Sequence, residues 1–159
     1  MEIDGWAVFA HPLCLDQIEN LIAAVRDEAA RGKDDTANMK VLRAIHRFAF
    51  VEIPKDPANR RFRLGNAIGP EHRHWFRAKF GAGRFRLFFR FQSQAKIIVL
   101  GWVNDQNTLR TRGAKADAYA VFQRMLDSGN PPDSWHQLLE AASSEESTRR
   151  LRAVTDEAK

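Results

Sequence analysis

Four cations stand at alternating positions around a glycine turn: Arg77 and Lys79 before Gly81-Ala82-Gly83, Arg84 and Arg86 after it. Arginine presents a planar fork that binds two oxygens of one phosphate and keeps its charge throughout the physiological range. A lysine crowded by arginines has its ammonium form disfavoured by like-charge repulsion, which makes Lys79 a candidate proton-transfer group. Such a set suits binding a phosphodiester and neutralising charge that develops on its non-bridging oxygens. Arg73 and Arg90 carry the same alternation outward at its two ends.

The charge distribution points the same way. Residues 60–115 hold thirteen Lys/Arg and only two acids, Glu71 and Asp105, for a local +11; the rest of the chain carries −6. Cations concentrated in one segment repel one another, so a polyanion that neutralises them is the expected partner. His72 and His74 would lie on one strand face at a spacing that can chelate metal. No convergent Asp, Glu or Cys lies nearby in sequence to complete a shell, so neither a metal nor another cofactor is expected. Because imidazole titrates near neutrality, these two histidines are second-rank acid/base candidates beside Arg77. The glycines at 81 and 83 lack the strand–loop–helix context and the lysine of a phosphate loop, and they read as a hairpin turn.

The elements that must position these residues follow from periodicity. Residues 5–10 (Gly-Trp-Ala-Val-Phe-Ala) read as a short apolar strand closed by His11-Pro12. Asp16 and Glu19 have the spacing of a capping box, and Ile18, Leu21, Ile22, Val25 and Ala29 continue at helical spacing to Gly32. A second helix is expected from about Asp35-Thr36, with Leu42, Ile45, Phe48 and Ala49 on one face, ending near Pro54. Residues 54–70 are an irregular connection. The period then changes to two, with Phe85, Leu87, Phe89 and Phe91 opposite the cations, which predicts a hairpin with one greasy and one cationic face. After a turn at 92–94, Ile97–Val103 is apolar on both faces, as suits a central strand. The Phe face is expected to lie on the two helices and the arginine face to stay open. A third helix is expected near Asp117 and a short fourth one after Pro131-Pro132-Asp133.

The chain's 44% hydrophobic content is enough for one core, assigned to residues 1–142, with 143–159 a charged C-terminal extension or tail. The lone Cys14 forbids an internal disulfide. No apolar run is long enough to span a membrane and no leader is recognisable, so a reducing, cytoplasmic setting without membrane contact is expected.

From residue 75 onward the sequence resembles a known family. Lys79-Phe80-Gly81-Ala82-Gly83-Arg84-Phe85-Arg86-Leu87-Phe88-Phe89-Arg90, then Gly101-Trp102-Val103-Asn104-Asp105, then Thr108-Leu109-Arg110-Thr111, is similar to the YhaV toxins. Gly5-Trp6-Ala7 with Ala10-His11-Pro12, and the segment from Pro131 to Trp135, resemble that family's two ends. YhaV toxins belong to the RelE/ParE group, onto whose strand pattern Arg77-Ala78-Lys79, the glycine turn and Phe85-Arg86 fall.

The resemblance implies an α+β, RelE/ParE-like fold: an N-terminal strand and two helices packed on an antiparallel sheet, followed by C-terminal helices. It implies a toxin of a type II toxin–antitoxin pair that cuts messenger RNA, commonly on the ribosome. The implied antitoxin is a PrlF-type, AbrB-like protein, with operator DNA reached only through the complex. Metal-free cleavage uses the neighbouring 2′-hydroxyl as nucleophile. In that setting Arg77 and Arg86 would grip the scissile phosphate, Lys79 would assist the 2′-hydroxyl or the developing charge, and Arg84 would add charge beside it. Tyr119 matches the carboxy-terminal tyrosine of part of the RelE group and would stack on a base or orient the nucleophile. Arg73, Arg90, Arg110, Arg112 and Lys115 would hold flanking phosphates; Arg112 and Lys115 both fit the family's basic residue before that tyrosine. Arg90 fits a structural salt bridge equally well. Two other functions share the fold or the charge: a ParE-like toxin that binds DNA gyrase without cutting RNA, and a non-catalytic RNA-binding module.

Overall fold

In the computed structural model, which describes residues 1–157, a five-stranded sheet is covered on both faces by helices. The strands are β1 (Glu2–Ile3), β2 (Trp6–Ala10), β3 (Phe76–Phe80), β4 (Phe85–Gln92) and β5 (Ile97–Val103), in the order β1-β2-β5-β4-β3. All neighbours are antiparallel except β2 and β5, which run parallel. The helices are α1 (Pro12–Ala30), α2 (Ala37–Arg47), a single turn α3 (Ile53–Lys55), α4 (Ala118–Asp127), α5 (Trp135–Ala142) and α6 (Glu145–Glu157).

Strand β5 is central, buried on both faces as its apolar run requires. On one side Leu87, Phe89, Ile98 and Leu100 pack with Leu15 and Ile18 of α1 and Leu42 and Ile45 of α2. This is the greasy face expected from the alternation. The other face is not left open. Trp75, Phe88, Val99 and Trp102 are buried there under Phe122 and Leu126 of α4 and Leu138 of α5. Phe88 stacks on Phe122 at 4.1 Å between ring centroids. Two α4 and α5 stripes of apolar residues need a surface to bury, and the aromatic residues interleaved with the arginines supply it.

Helix α1 starts at Pro12, four residues before the expected cap at Asp16. His11 Nδ1 accepts the Leu13 amide at 3.1 Å, and Pro12 fits the first turn, where its missing N–H is not needed. Thr36 caps α2 by accepting from Met39 N at 3.2 Å. Past Arg47 the chain runs on through a π turn (Phe48–Glu52) into α3, so Pro54 lies in a helical turn rather than just beyond one. Asp117 caps α4 and Ser134 caps α5, at the positions the sequence marks.

Two glycines are fixed by their surroundings. Gly81 takes φ +62° in the β3–β4 turn, and a Cβ there would stand 2.6 Å from the Phe85 ring. At Gly101 on β5 a Cβ would stand 2.4 Å from the Trp75 indole, which lies on the bare backbone.

The C-terminal segment is ordered helix. Leu151 and Val154 of α6 join the core beside α1, and Arg150 bonds Glu19 at 2.7 and 2.9 Å and Asp16 at 2.6 Å. Residues 158 and 159 of the expected extension lie outside the described residues. Burial pushes the Cys14 thiol up to about 12, with Asp16 adding to it, so the thiol is unreactive. Among the described residues no helix is long and apolar enough to cross a membrane.

Candidate active site

The site forms where β3, β4 and the first turn of α4 meet. In the β3–β4 ladder Lys79 pairs with Arg86 and Arg77 with Phe88, so Arg77, Lys79 and Arg86 share a face. Asp117 caps α4 through Oδ2, which accepts from Tyr119 N at 3.0 Å, and this sets the tyrosine over that face. The Tyr119 hydroxyl accepts hydrogen bonds from Arg86 Nε at 2.9 Å and Arg77 Nε at 3.0 Å.

Both arginines are held in the same manner. Arg77 Nη1 donates to Arg63 O at 2.6 Å and Arg61 O at 3.1 Å, in the irregular segment before β3. Arg86 Nη1 donates to Gly83 O at 2.8 Å and Phe85 O at 3.0 Å in the hairpin turn. Of a guanidinium's five N–H groups, three in each arginine are thus taken up inside the protein. The Nη2 amino group of each has no hydrogen-bond partner among the described residues. Arg77 is half-buried, whereas Arg86 is only 6% exposed. Arg77 is therefore placed to meet a ligand directly. Arg86 is buried with its bonds to Tyr119 and to the hairpin turn.

Burial alone would raise the pKa of Tyr119. The hydrogen bonds from Arg86 and Arg77, and their charges, outweigh it and hold the phenol below its ordinary value of 10.0. With both arginines donating to its oxygen, the phenol's own proton is free to be given outward. Arg110 lies 4.8 Å and Arg86 5.3 Å from the centre of the Tyr119 ring, within cation–π range.

Sequence reasoning missed Asn104, and for Asp117 it missed everything beyond the capping position. Asp117 Oδ1 accepts from Arg110 Nη1 and from Thr111 N, both at 2.6 Å, locking the loop before α4. Buried Asn104 accepts from Arg86 N at 2.7 Å and donates to Arg84 O at 3.1 Å and Thr108 O at 2.7 Å. Asn104 directly follows β5 and Asp117 directly precedes α4, and a polar residue at such an element end, with backbone groups left to satisfy, is a legible signal for position though not for partners.

The remaining predicted residues divide. Lys79 and Arg84 are exposed beside the cluster, and Arg112 and Lys115 are exposed on the loop before α4. Arg73 is exposed and donates to Asn66 Oδ1 at 2.6 Å. Arg90 is set apart from the cluster: its Nη1 donates to Asp133 O at 2.6 Å, and its guanidinium lies over Trp75 and Trp135. That bond goes to a backbone carbonyl rather than to a carboxylate, so it is not the salt bridge considered from the sequence. The histidines also turn away from Tyr119. His72 Nδ1 and His74 Nε2 meet Asp133 Oδ1 at 3.0 and 2.8 Å, joined there by Trp75 Nε1 at 2.9 Å. The acids around His72 are Asp133 from the chain after α4, Asp127 from the last turn of α4 and, against the expectation that no acid nearby in sequence would converge, the adjacent Glu71.

Comparisons with known proteins bear on what this cluster does. Residues 8–143 match the Toxin_YhaV family, described as a toxin with endonuclease activity, of a toxin–antitoxin system. Among curated proteins, "Toxin YhaV" of Escherichia coli O6:H1 and "Ribonuclease toxin YhaV" of Escherichia coli K12 are each 44% identical to this chain. Each alignment spans 142 residues, covering 86% of this chain and 91% of the relative. No solved structure matches the chain.

Proposed function

This chain belongs to the YhaV family of toxins with endonuclease activity, and on that premise we propose that it is a metal-independent ribonuclease acting through Arg77, Arg86 and Tyr119. A relative 44% identical over 142 residues is named a ribonuclease toxin, which supports RNA as the substrate. The observation that carries the site is the Tyr119 hydroxyl bridging the Nε groups of Arg77 and Arg86.

The proposed chemistry is attack of the ribose 2′-oxygen on the adjacent phosphorus. The bond from phosphorus to the departing 5′-oxygen breaks, leaving a 2′,3′-cyclic phosphate and a 5′-hydroxyl. Arg77 neutralises the non-bridging oxygens through its uncommitted Nη2 group. Tyr119, acidified by the two arginines, gives its proton to the departing oxygen. Lys79, exposed opposite Arg86 in the ladder, stabilises as a cation the charge that develops on the attacked phosphate, and the 2′-hydroxyl proton passes to solvent water. Arg84, Arg112 and Lys115 hold flanking phosphates electrostatically, and messenger RNA on the ribosome is the proposed substrate in the cell. A PrlF-type antitoxin that covers the Arg77 and Tyr119 surface would silence it. The gyrase-binding and non-catalytic readings have no observation in their favour in this site.

The test is to map RNA 5′ ends across the transcriptome after brief induction, with Arg77→Ala beside the parent chain. New ends inside reading frames, absent in the variant, are the expected result. A folded Arg77→Ala protein that still produces them removes Arg77 from the chemistry. Growth arrest without new ends would return gyrase to consideration.

A further inference from the structure

The structure assigns a second, separate site: Glu71, His72 and Asp127 form a binding site for a divalent transition-metal ion such as Zn2+. The inference goes beyond the nuclease reading and does not rest on it.

His72 is 5% exposed, and its Nδ1 is bonded to Asp133 at 3.0 Å. Its other ring nitrogen, Nε2, is buried without a hydrogen-bond partner. Two carboxylate oxygens face that nitrogen: Asp127 Oδ1 at 3.5 Å and Glu71 Oε1 at 3.8 Å. An imidazole that donates from Nδ1 presents a lone pair at Nε2. A lone pair set against two carboxylates is repulsive unless a cation lies among them. Ligand atoms at about 2.0–2.1 Å from a tetrahedral zinc stand about 3.4 Å from one another, close to the spacing found here.

The surroundings fit the same assignment. A ligating histidine commonly donates its second ring nitrogen to a carboxylate, which fixes the ring and raises its basicity. Asp133 takes that part, and it is itself held by His74 and Trp75. The Glu71 carboxylate folds back over Gly69, where φ is +98° and a Cβ would lie 2.8 Å from Oε1. Glu71 and Asp127 are both exposed, which leaves an open side for entry and for a water ligand. An imidazole among the ligands favours zinc-class ions over magnesium or calcium. By contrast, the convergence of His72, His74 and Trp75 on one Asp133 oxygen is satisfied by hydrogen bonds alone.

A bound ion would join the turn at Pro70–His72, just before β3, to the last turn of α4. β3, which follows that turn, carries Arg77 and α4 carries Tyr119, so the ion would clamp the nuclease site from outside without touching substrate.

The experiment is titration of the full chain, stripped with a chelator, with Zn2+ alone against a chromophoric competitor, read together with thermal melting. One ion per chain and a raised Tm are expected. Asp127→Asn and Glu71→Gln should each weaken binding at least tenfold. Both positions are exposed, so the metal-free melting temperature should hardly move. His136 and Glu140 form an exposed pair that could trap zinc, and His136→Ala should leave the affinity unchanged. Binding that survives in the Asp127→Asn/Glu71→Gln double variant would overturn the assignment, because the ion would then sit elsewhere. No stoichiometric binding by the parent chain would also overturn it.

Discussion

The Tyr119 hydroxyl and the Nε of Arg86 are 2.9 Å apart, and the arginine is buried, so its charge falls on the phenol rather than on solvent. A proton donor must be protonated to act, so cleavage should fall as pH rises through the Tyr119 pKa, which lies below the ordinary 10.0. Tyr119→Phe should lower the single-turnover cleavage rate by about 10²–10⁴-fold and abolish that alkaline limb. A Phe variant with the limb intact would assign the proton to another group.

Asp117 supports the same tyrosine from behind. Burial would raise its pKa, but Arg110 and the amides of Thr111 and Ala120 outweigh that and hold it below 3.8. A carboxyl depressed by folding stabilises the protein above its unfolded pKa, and the contribution is lost as pH falls through the lower folded value. Asp117→Asn should therefore reduce stability at neutral pH by about 1–2 kcal/mol and flatten the acid end of the stability profile. Cleavage should fall with it, since Arg110 loses its anchor beside the Tyr119 ring. Urea denaturation between pH 3 and 7, set beside the cleavage rate, checks both effects.

Much of this arrangement is legible in the chain. The alternation from Arg77 to Phe91 gives the hairpin, its register and the shared face of Arg77, Lys79 and Arg86, because strand side chains alternate with period two. It does not tell which cations stay in water. That depends on where α4 and α5 land, and their apolar stripes settle on Phe88 and Trp102 and bury Arg86 with them. Asp117 reads as a helix cap from sequence, yet its bond to Arg110 depends on the path of the loop between them. The turn of His72 and His74 toward Asp133 is hidden for the same reason: some sixty residues separate the partners. Pro12 misleads locally, since the same residue that ends a strand also opens a helix.

The last helix is expected to contribute to stability rather than trail from it. Leu151 is 1% exposed in the main core, so Leu151→Ala should cost about 2–5 kcal/mol by urea denaturation. Arg150→Ala removes the bonds to Glu19 and Asp16 at a more exposed position and should cost about 1 kcal/mol or less. Equal, small losses for both would show that α6 docks only loosely on α1.

His11 gives the protein a pH dependence in the mildly acidic range. Burial lowers its pKa from 6.5 to about 4, with Asp16 opposing only in part. The lowered value agrees with its role, because Nδ1 must be unprotonated to accept the Leu13 amide at 3.1 Å. The unfolded chain binds the proton first, so the stabilisation is complete above 6.5 and is lost as pH falls from there to about 4. That gap corresponds to about 3 kcal/mol at most. His11→Asn keeps a side-chain acceptor at the start of α1 but does not titrate, and it should level the stability curve between pH 6.5 and 4. If the Asn variant loses stability over this window as steeply as the parent, the proton is taken up elsewhere and the cap at α1 does not set the acid limit.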